Sequence, residues 1–261
     1  MVRKPRWESC GYEDGVEEIR LTSWKYFSDF INQEMLDYTT YVYRGHGNSQ
    51  WKLEPTLDRI IKSPVSSVRK EHLEKFIYET RGRRGANPPI LKDENDWWAL
   101  GQHHGLATPL LDWTEAPFVA FYFAAAVAEK EKCKSFSVFA LSQAAVESKN
   151  AHIRQNSSIA LVNGQKPTVK IFRPLSDENT RLVNQRGLFT RGPNNVDLER
   201  WVKKFPPETP MMELIKITIP NSDIKNCLRY LNRMNINHAT LFPDLLGASE
   251  FCNAHLKIPS Y

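Results

Sequence analysis

Three short stretches of the chain place charged, hydroxyl or amide groups where buried elements end, which is where pockets usually form. The first is Tyr43-Arg44-Gly45-His46. An arginine ending an aromatic strand offers a planar fork that grips a phosphate or carboxylate through two parallel bonds. Gly45 and Gly47 are expected to let a ligand approach the main chain. A structural ion pair, with Asp112 as partner, is the plainer role for Arg44. The second stretch runs from Gln102-His103-His104-Gly105 to Asp112-Trp113-Thr114. A histidine near its free pKa moves protons, and a carboxylate orients it. The plainer role is a histidine that bonds the last carbonyls of a helix. Adjacent histidines project in different directions and no H-E-x-x-H is present, so no metal site is expected. The third stretch is Asn184-Gln185-Arg186-Gly187, where the Gln185 amide both donates and accepts. Asp244, in Phe242-Pro243-Asp244, is first a helix N-cap.

These groups need elements to hold them. Tyr38 to Gly45 is β-branched and aromatic and reads as a strand. Thr108 to Trp113 reads as a short buried strand. A helix over Glu94–His104 precedes it, with Gly105 just past the end. Thr114 is placed to cap the next helix, which runs from Glu115 to about Lys132 and is apolar nearly all round, hence central. Thr22 or Ser23 can cap a helix carrying Trp24, Phe27, Phe30 and Ile31. Further helices are expected over Val65–Thr80, Asp177–Gln185, Asn221–Met234 and Leu245–His255. Strands are expected over Phe136–Leu141, Thr168–Phe172 and Met211–Ile219. Residues 1–20 are polar and read as an arm, which leaves one domain over 21–261. The fold expected is α+β, with a mixed or antiparallel sheet packed with helices.

The 261 residues are 41% apolar and 25% charged, which suits a packed domain and excludes disordered and collagen-like classes. Lysine and arginine outnumber aspartate and glutamate, 35 to 30, and the pI near 8.9 tolerates an anionic partner without requiring one. The Arg81-Gly-Arg-Arg84 loop leans the same way. Cys10, Cys133, Cys227 and Cys252 form no C-x-x-C pair. The start of the chain lacks an apolar signal core, and the apolar run Ala116–Ala128 is too short for a membrane helix, which needs about 20 residues. A cytoplasmic protein with reduced thiols and no membrane contact is expected. No P-loop, G-x-G-x-x-G or G-x-S-x-G motif occurs.

Taken in order, these segments resemble the FRG domain. Tyr43-Arg44-Gly45 is similar to the strand end that gives that family its name. The block from Gln102 to Thr114, continued by Ala116-Pro-Phe-Val-Ala-Phe-Tyr-Phe-Ala124, resembles its most distinctive part. Asn184-Gln185-Arg-Gly-Leu-Phe189 and Thr240-Leu-Phe-Pro-Asp-Leu245 are similar to its later signatures. The layout is in turn similar to that of ADP-ribosyltransferases. That resemblance implies an ADP-ribosyltransferase-like fold and an enzyme that uses NAD as substrate. Arg44 would bind the NAD phosphates or ribose, with Gly45 and His46 beside it. Thr114, next to Trp113, would take the second-strand position, and Tyr122 or Phe121 would flank nicotinamide. The acidic third position has no E-x-E behind it; Gln185, Glu213, Asp244 and Glu250 are the candidates.

The leading expectation is an NAD-dependent effector, a toxin or phage-defence protein, that modifies RNA, DNA or a protein and has an antitoxin as a candidate partner. Two others stand beside it. One is an NAD-independent hydrolase or nuclease, with His103 as base and Asp112 as its orienter. The other is a non-catalytic module that binds a nucleotide or a partner.

Overall fold

In Val16-Glu-Glu-Ile-Arg-Leu21, Ile19 and Leu21 lie two apart and share one face of a strand, while Val16, three before Ile19, is buried on the other face. In the computed structural model, which describes residues 5–65, 67–174, 180–205 and 212–261, this stretch is not an arm. It is the inner half of a hairpin, β1 (Trp7–Glu13) and β2 (Val16–Leu21). Asp14 and Gly15 turn the chain with φ of 47° and 91°, the positive values that tight hairpins require. β1 is an exposed edge strand, so its polar composition disguises it.

Short helical turns from Trp24 to Met35 include α1 (Phe27–Phe30). There follow β3 (Tyr41–His46), α2 (Thr56–Ile60), α3 (Ser67–Glu79), α4 (Glu94–His103), β4 (Leu110–Thr114), α5 (Pro117–Glu131) and β5 (Ser135–Ser142). Then come α6 (Gln143–Gln155), β6 (Lys170–Phe172), α7 (Thr180–Asn184), β7 (Gly187–Arg191) and α8 (Leu198–Lys204). β8 (Leu214–Pro220), α9 (Ile224–Arg233), α10 (His238–Leu241) and α11 (Leu245–Lys257) close the fold. The expected positions 177–179 and Met211 lie outside the described residues.

The eight strands form one sheet in the order β1-β2-β8-β5-β3-β4-β7-β6. Every neighbour pair is antiparallel except β2 with β8, so the α+β class with a mixed sheet holds. One irregularity matters. All six residues of β3 pair with β5, but β3 meets β4 only at Tyr43 opposite Thr114. Beyond that point the two strands part and leave a fork in the middle of the sheet.

α5 crosses one face. Burial of Val119, Phe121, Tyr122 and Ala125 as well as Ala120 and Ala124 explains why it is apolar all round. Phe121 stacks on Phe27 with ring centroids 4.3 Å apart. Gly45 lets this helix sit on β3. A Cβ there would lie 2.8 Å from Ala124 N and closer still to the Ala120 carbonyl oxygen. The missing side chain therefore serves helix-on-sheet packing, and Val127 fills the same space over Gly47.

α6 and α8 cover the other face with Val146, Ile153, Trp201 and Val202. Periodicity does not reveal α6, because Lys149 and Asn150 occupy its buried side. Asn150 brackets Val169 through the latter's N–H and C=O, and Lys149 pairs with Glu213 at 2.5 Å. No helix among the described residues is long and apolar enough to cross a membrane.

Candidate functional site

The fork opens into a cleft of about 310 Å³. Arg44 and Asp112 stand on its two prongs, Thr114 and Gln185 at its base, and Phe123 of α5 and Phe242 wall it from the helix side. The two rings meet edge to face at 5.9 Å.

Arg44 is held on two sides. Its Nη1 donates to the Asp112 carbonyl at 2.7 Å and faces Asp112 Oδ2 at 3.3 Å, across the gap where strand pairing has stopped. Its Nε donates to His46 Nε2 at 3.1 Å. That bond requires a bare Nε2, so the His46 proton sits on Nδ1 and points to the Trp51 carbonyl at 3.3 Å. Burial, with the Arg44 charge second, pushes the His46 imidazole down to about 3, so the ring stays neutral. Desolvation also lowers Arg44 from its ordinary value, against the pull of Asp112. The Arg44 side chain is 21% exposed and the Asp112 side chain 60%. An ion pair that open contributes under about 1 kcal/mol, so a ligand anion can take Asp112's place.

His46 is thus a buried brace behind Arg44 and not a ligand contact, which corrects the expectation from its position next to Gly45. Thr114 does not cap α5, whose N-cap is Ala116. Its hydroxyl donates to the Gln185 carbonyl at 2.5 Å and accepts from Ala116 N at 3.0 Å, tying the strand end to α7. The Gln185 amide nitrogen donates to the Leu241 carbonyl at 3.0 Å. Trp113 is buried, with Nε1 donating to Thr190 Oγ1 at 2.9 Å, and it backs the cleft.

Other expected members lie elsewhere. Tyr122 turns away from the cleft and hydrogen-bonds His238 Nδ1 at 2.5 Å, and Phe121 is core; Phe123 is the ring that faces the fork. The reason is helical phase: Ala120 and Phe123 are one turn apart, while Tyr122 points about 100° away. His103 packs edge-on against His104 and lies near Arg181 and Asp244, whereas Asp112 is engaged by Arg44. The His103–Asp112 pair of the hydrolase reading is not assembled. Glu213 is buried against Lys149 on the opposite face. Asp244 caps α11 through Gly247 N and pairs with Arg181, and Glu250 lines a separate pocket with Tyr122 and His238. Asp112 is therefore the carboxylate of the cleft.

Two rings and one cation escaped the sequence reading. Phe123 had a signal, one turn after Ala120. Phe242 had its place in the Thr240-Leu-Phe-Pro-Asp-Leu245 segment, but no role there. Arg59 sits on α2, which docks beside β4 through Leu57 N and the Thr108 carbonyl at 3.1 Å, and its charge reaches both Arg44 and His46.

No curated protein and no solved structure matches the chain. The FRG domain family model matches residues 39–133. That range takes in β3, β4 and α5 and so both prongs and the Phe123 wall of the cleft; the later segments with Gln185 and Phe242 fall outside it. Over residues 39–133, which hold both prongs of the fork, the chain is similar to the FRG domain.

Proposed function

We propose that the cleft binds the ribosyl end of NAD and that the protein is an ADP-ribosyltransferase-type enzyme acting on a nucleic acid or a protein. The observation that carries this reading is Arg44: a guanidinium braced by His46, facing a slot with two aromatic walls. A cation beside flat rings suits a phosphorylated heteroaromatic ligand. The volume lies at the small end of the range for ligand pockets. It suits one nucleoside-sized half of a dinucleotide, with the rest leaving past Arg44 and Arg59.

In the transfer, the bond from ribose C1′ to the nicotinamide nitrogen breaks and nicotinamide leaves with the electron pair. The acceptor's nucleophile supplies a pair to C1′ and loses a proton. The cation-like ribose in between is stabilised by a nearby carboxylate. Asp112 fills that role once a ligand phosphate has drawn Arg44 from it. The free thiols fit a reducing compartment, and we place the protein in the cytoplasm as an effector, a toxin or a defence protein.

The uncharged Gln185 at the base of the cleft favours a second reading, a module that binds a nucleotide without cleaving it. Calorimetry with NAD and a nicotinamide-release assay separate the two. Arg44→Gln is expected to weaken NAD binding at least 10-fold, with melting behaviour as the fold control. Asp112→Asn is expected to retain or tighten binding and to abolish release. Binding with no release by the unaltered protein supports the module. No binding of NAD or ADP removes both readings.

A further inference from the structure

On the face of α5 turned away from the fork, a second crevice of about 310 Å³ opens between α5 and α11, with Leu228 of α9 and His238 of α10 at its sides. α5 contributes Tyr122, Ala126, Glu129 and Lys130, spaced i, i+4, i+7, i+8 along one helix face. α11 contributes Glu250, Ala254, Lys257 and Ile258 at the same spacing. The alanine one turn along each helix offers a methyl group and no more, which leaves the middle open. Of the thirteen residues of α11, Gly247 alone is fully buried, so this helix covers the crevice without filling it.

The two ends of the crevice differ in charge. At one, the Tyr122 hydroxyl hydrogen-bonds His238 Nδ1 at 2.5 Å, the Tyr261 hydroxyl lies beside that of Tyr122, and the Glu250 carboxylate acts on both Tyr122 and His238. Burial lowers the His238 imidazole below its ordinary value and raises both phenols, so these three groups are neutral at pH 7. Glu250 is half-buried, and no lysine or arginine among the described residues pairs with it. The other end, roughly 11 Å along the same helix faces at about 1.5 Å per residue, holds Glu129, Lys130 and Lys257, and both lysines are exposed.

We infer that this crevice binds a small aromatic ammonium compound, with its cation on Glu250 and its ring between Ala126 and Ala254. The carboxylate has no counter-ion of its own, and a charge-assisted bond from an ammonium supplies one. Tyrosine rings beside a carboxylate suit an organic cation. The volume is about twice the ~150 Å³ of a cavity that holds benzene, which leaves room for a short side chain. An anion would stop at the exposed lysines, beside Glu129, and would meet the Glu250 charge if it went deeper. The inference stands whatever the fork binds.

The test is calorimetry with phenethylamine, beside phenylacetate and 2-phenylethanol as anionic and neutral bodies of similar shape. The amine is expected to bind at least 10-fold tighter than either. Glu250→Gln is expected to lower amine affinity at least 10-fold, as loss of a bond to a charged group requires, with an unchanged melting curve. Ala254→Leu fills the slot with apolar atoms and is expected to abolish binding while keeping or raising Tm. Asp112→Asn is expected to leave amine affinity unchanged, which matters because the fork also joins a carboxylate to aromatic walls. An absence of binding up to about 10 mM, the weakest affinity expected of a ligand of about nine heavy atoms, would overturn the inference. So would equal binding of the acid or the alcohol, undiminished binding by Glu250→Gln or Ala254→Leu, or loss of binding in Asp112→Asn.

Discussion

Gly45 separates two accounts of the Tyr43-Arg44-Gly45 strand end. If the glycine exists for a ligand, an alanine there removes binding and spares the fold. The structure requires the reverse. The added Cβ would stand 2.8 Å from Ala124 N and nearer still to the Ala120 carbonyl, and both are main-chain atoms of α5. No rotamer change relieves a clash with backbone, so the helix must lift from β3. Ala120 and Ala124 are fully buried there, and a gap under an ångström already forfeits much of their dispersion contact. Overpacking of this kind costs about 1–3 kcal/mol, and a rigid partner puts Gly45→Ala near the upper end. For a chain of this size each kcal/mol moves Tm by roughly 2–4 °C, so a fall of about 6–12 °C is expected. Differential scanning fluorimetry reads it, with Gly82→Ala as comparison. Gly82 has φ of 71° but open space around it, so only the smaller conformational penalty of about 1 kcal/mol applies. A Gly45→Ala protein that melts within about 2 °C of the parent, yet no longer binds ligand, would refute the packing account.

Two further outcomes follow from buried charge. His46 is held neutral in the fold, far below its ordinary 6.5, so below that pH the unfolded chain takes up a proton that the folded chain refuses. Stability is therefore retained above pH 6.5 and falls as pH drops toward 3, by at most ~1.4 kcal/mol per pH unit. Urea melts of the parent and of His46→Gln, whose amide oxygen can still accept from Arg44, should diverge over that window; parallel curves would sink the assignment. Lys149 and Glu213, both almost fully buried, pair in the sheet's other face. Lys149→Ala strands a buried carboxylate and is expected to cost about 3–5 kcal/mol in urea unfolding, whereas Lys149→Met with Glu213→Leu should recover most of it. A double variant as unstable as the single one would show that the pair does more than neutralise itself.

The segments that hold the cleft were legible in the sequence, and several roles within them were not. Strand β3, helix α5 and the Asp112-Trp113-Thr114 strand end announce themselves through β-branched runs, a continuous apolar helix and terminal polar residues. α6 stays hidden because a buried lysine and a buried asparagine break its apolar stripe, and only partners further along the chain, Val202 and Glu213 for Lys149 and Val169 for Asn150, make them tolerable. The hairpin β1–β2 hides because an exposed edge strand looks like a polar tail. Tyr122 and Phe123 are adjacent, so choosing the ring that faces the fork needs a helical phase that only the packed sheet supplies. His46 alternates onto the same side of β3 as Arg44, two residues on, which sequence shows; that it braces rather than binds depends on the Trp51 carbonyl folding back over it.

The cleft owes its existence to a defect in strand pairing more than to any single residue. A sheet normally satisfies its main-chain groups strand by strand, and a buried group without a partner is costly. After Tyr43 and Thr114 the ladder between β3 and β4 stops, which exposes carbonyls in the middle of the sheet. The Arg44 guanidinium answers one of them, Asp112 O, at 2.7 Å, and so substitutes for a missing ladder bond. That makes it structural glue and anion receptor at once, with the Asp112 carboxylate as its resting counter-ion. A ligand phosphate competes with the weak, exposed half of this arrangement, the carboxylate at 3.3 Å, and leaves the stronger carbonyl bond in place. The same geometry explains why His46 must be neutral: a protonated ring would turn a brace into a repelling charge and push Arg44 out of the gap it closes.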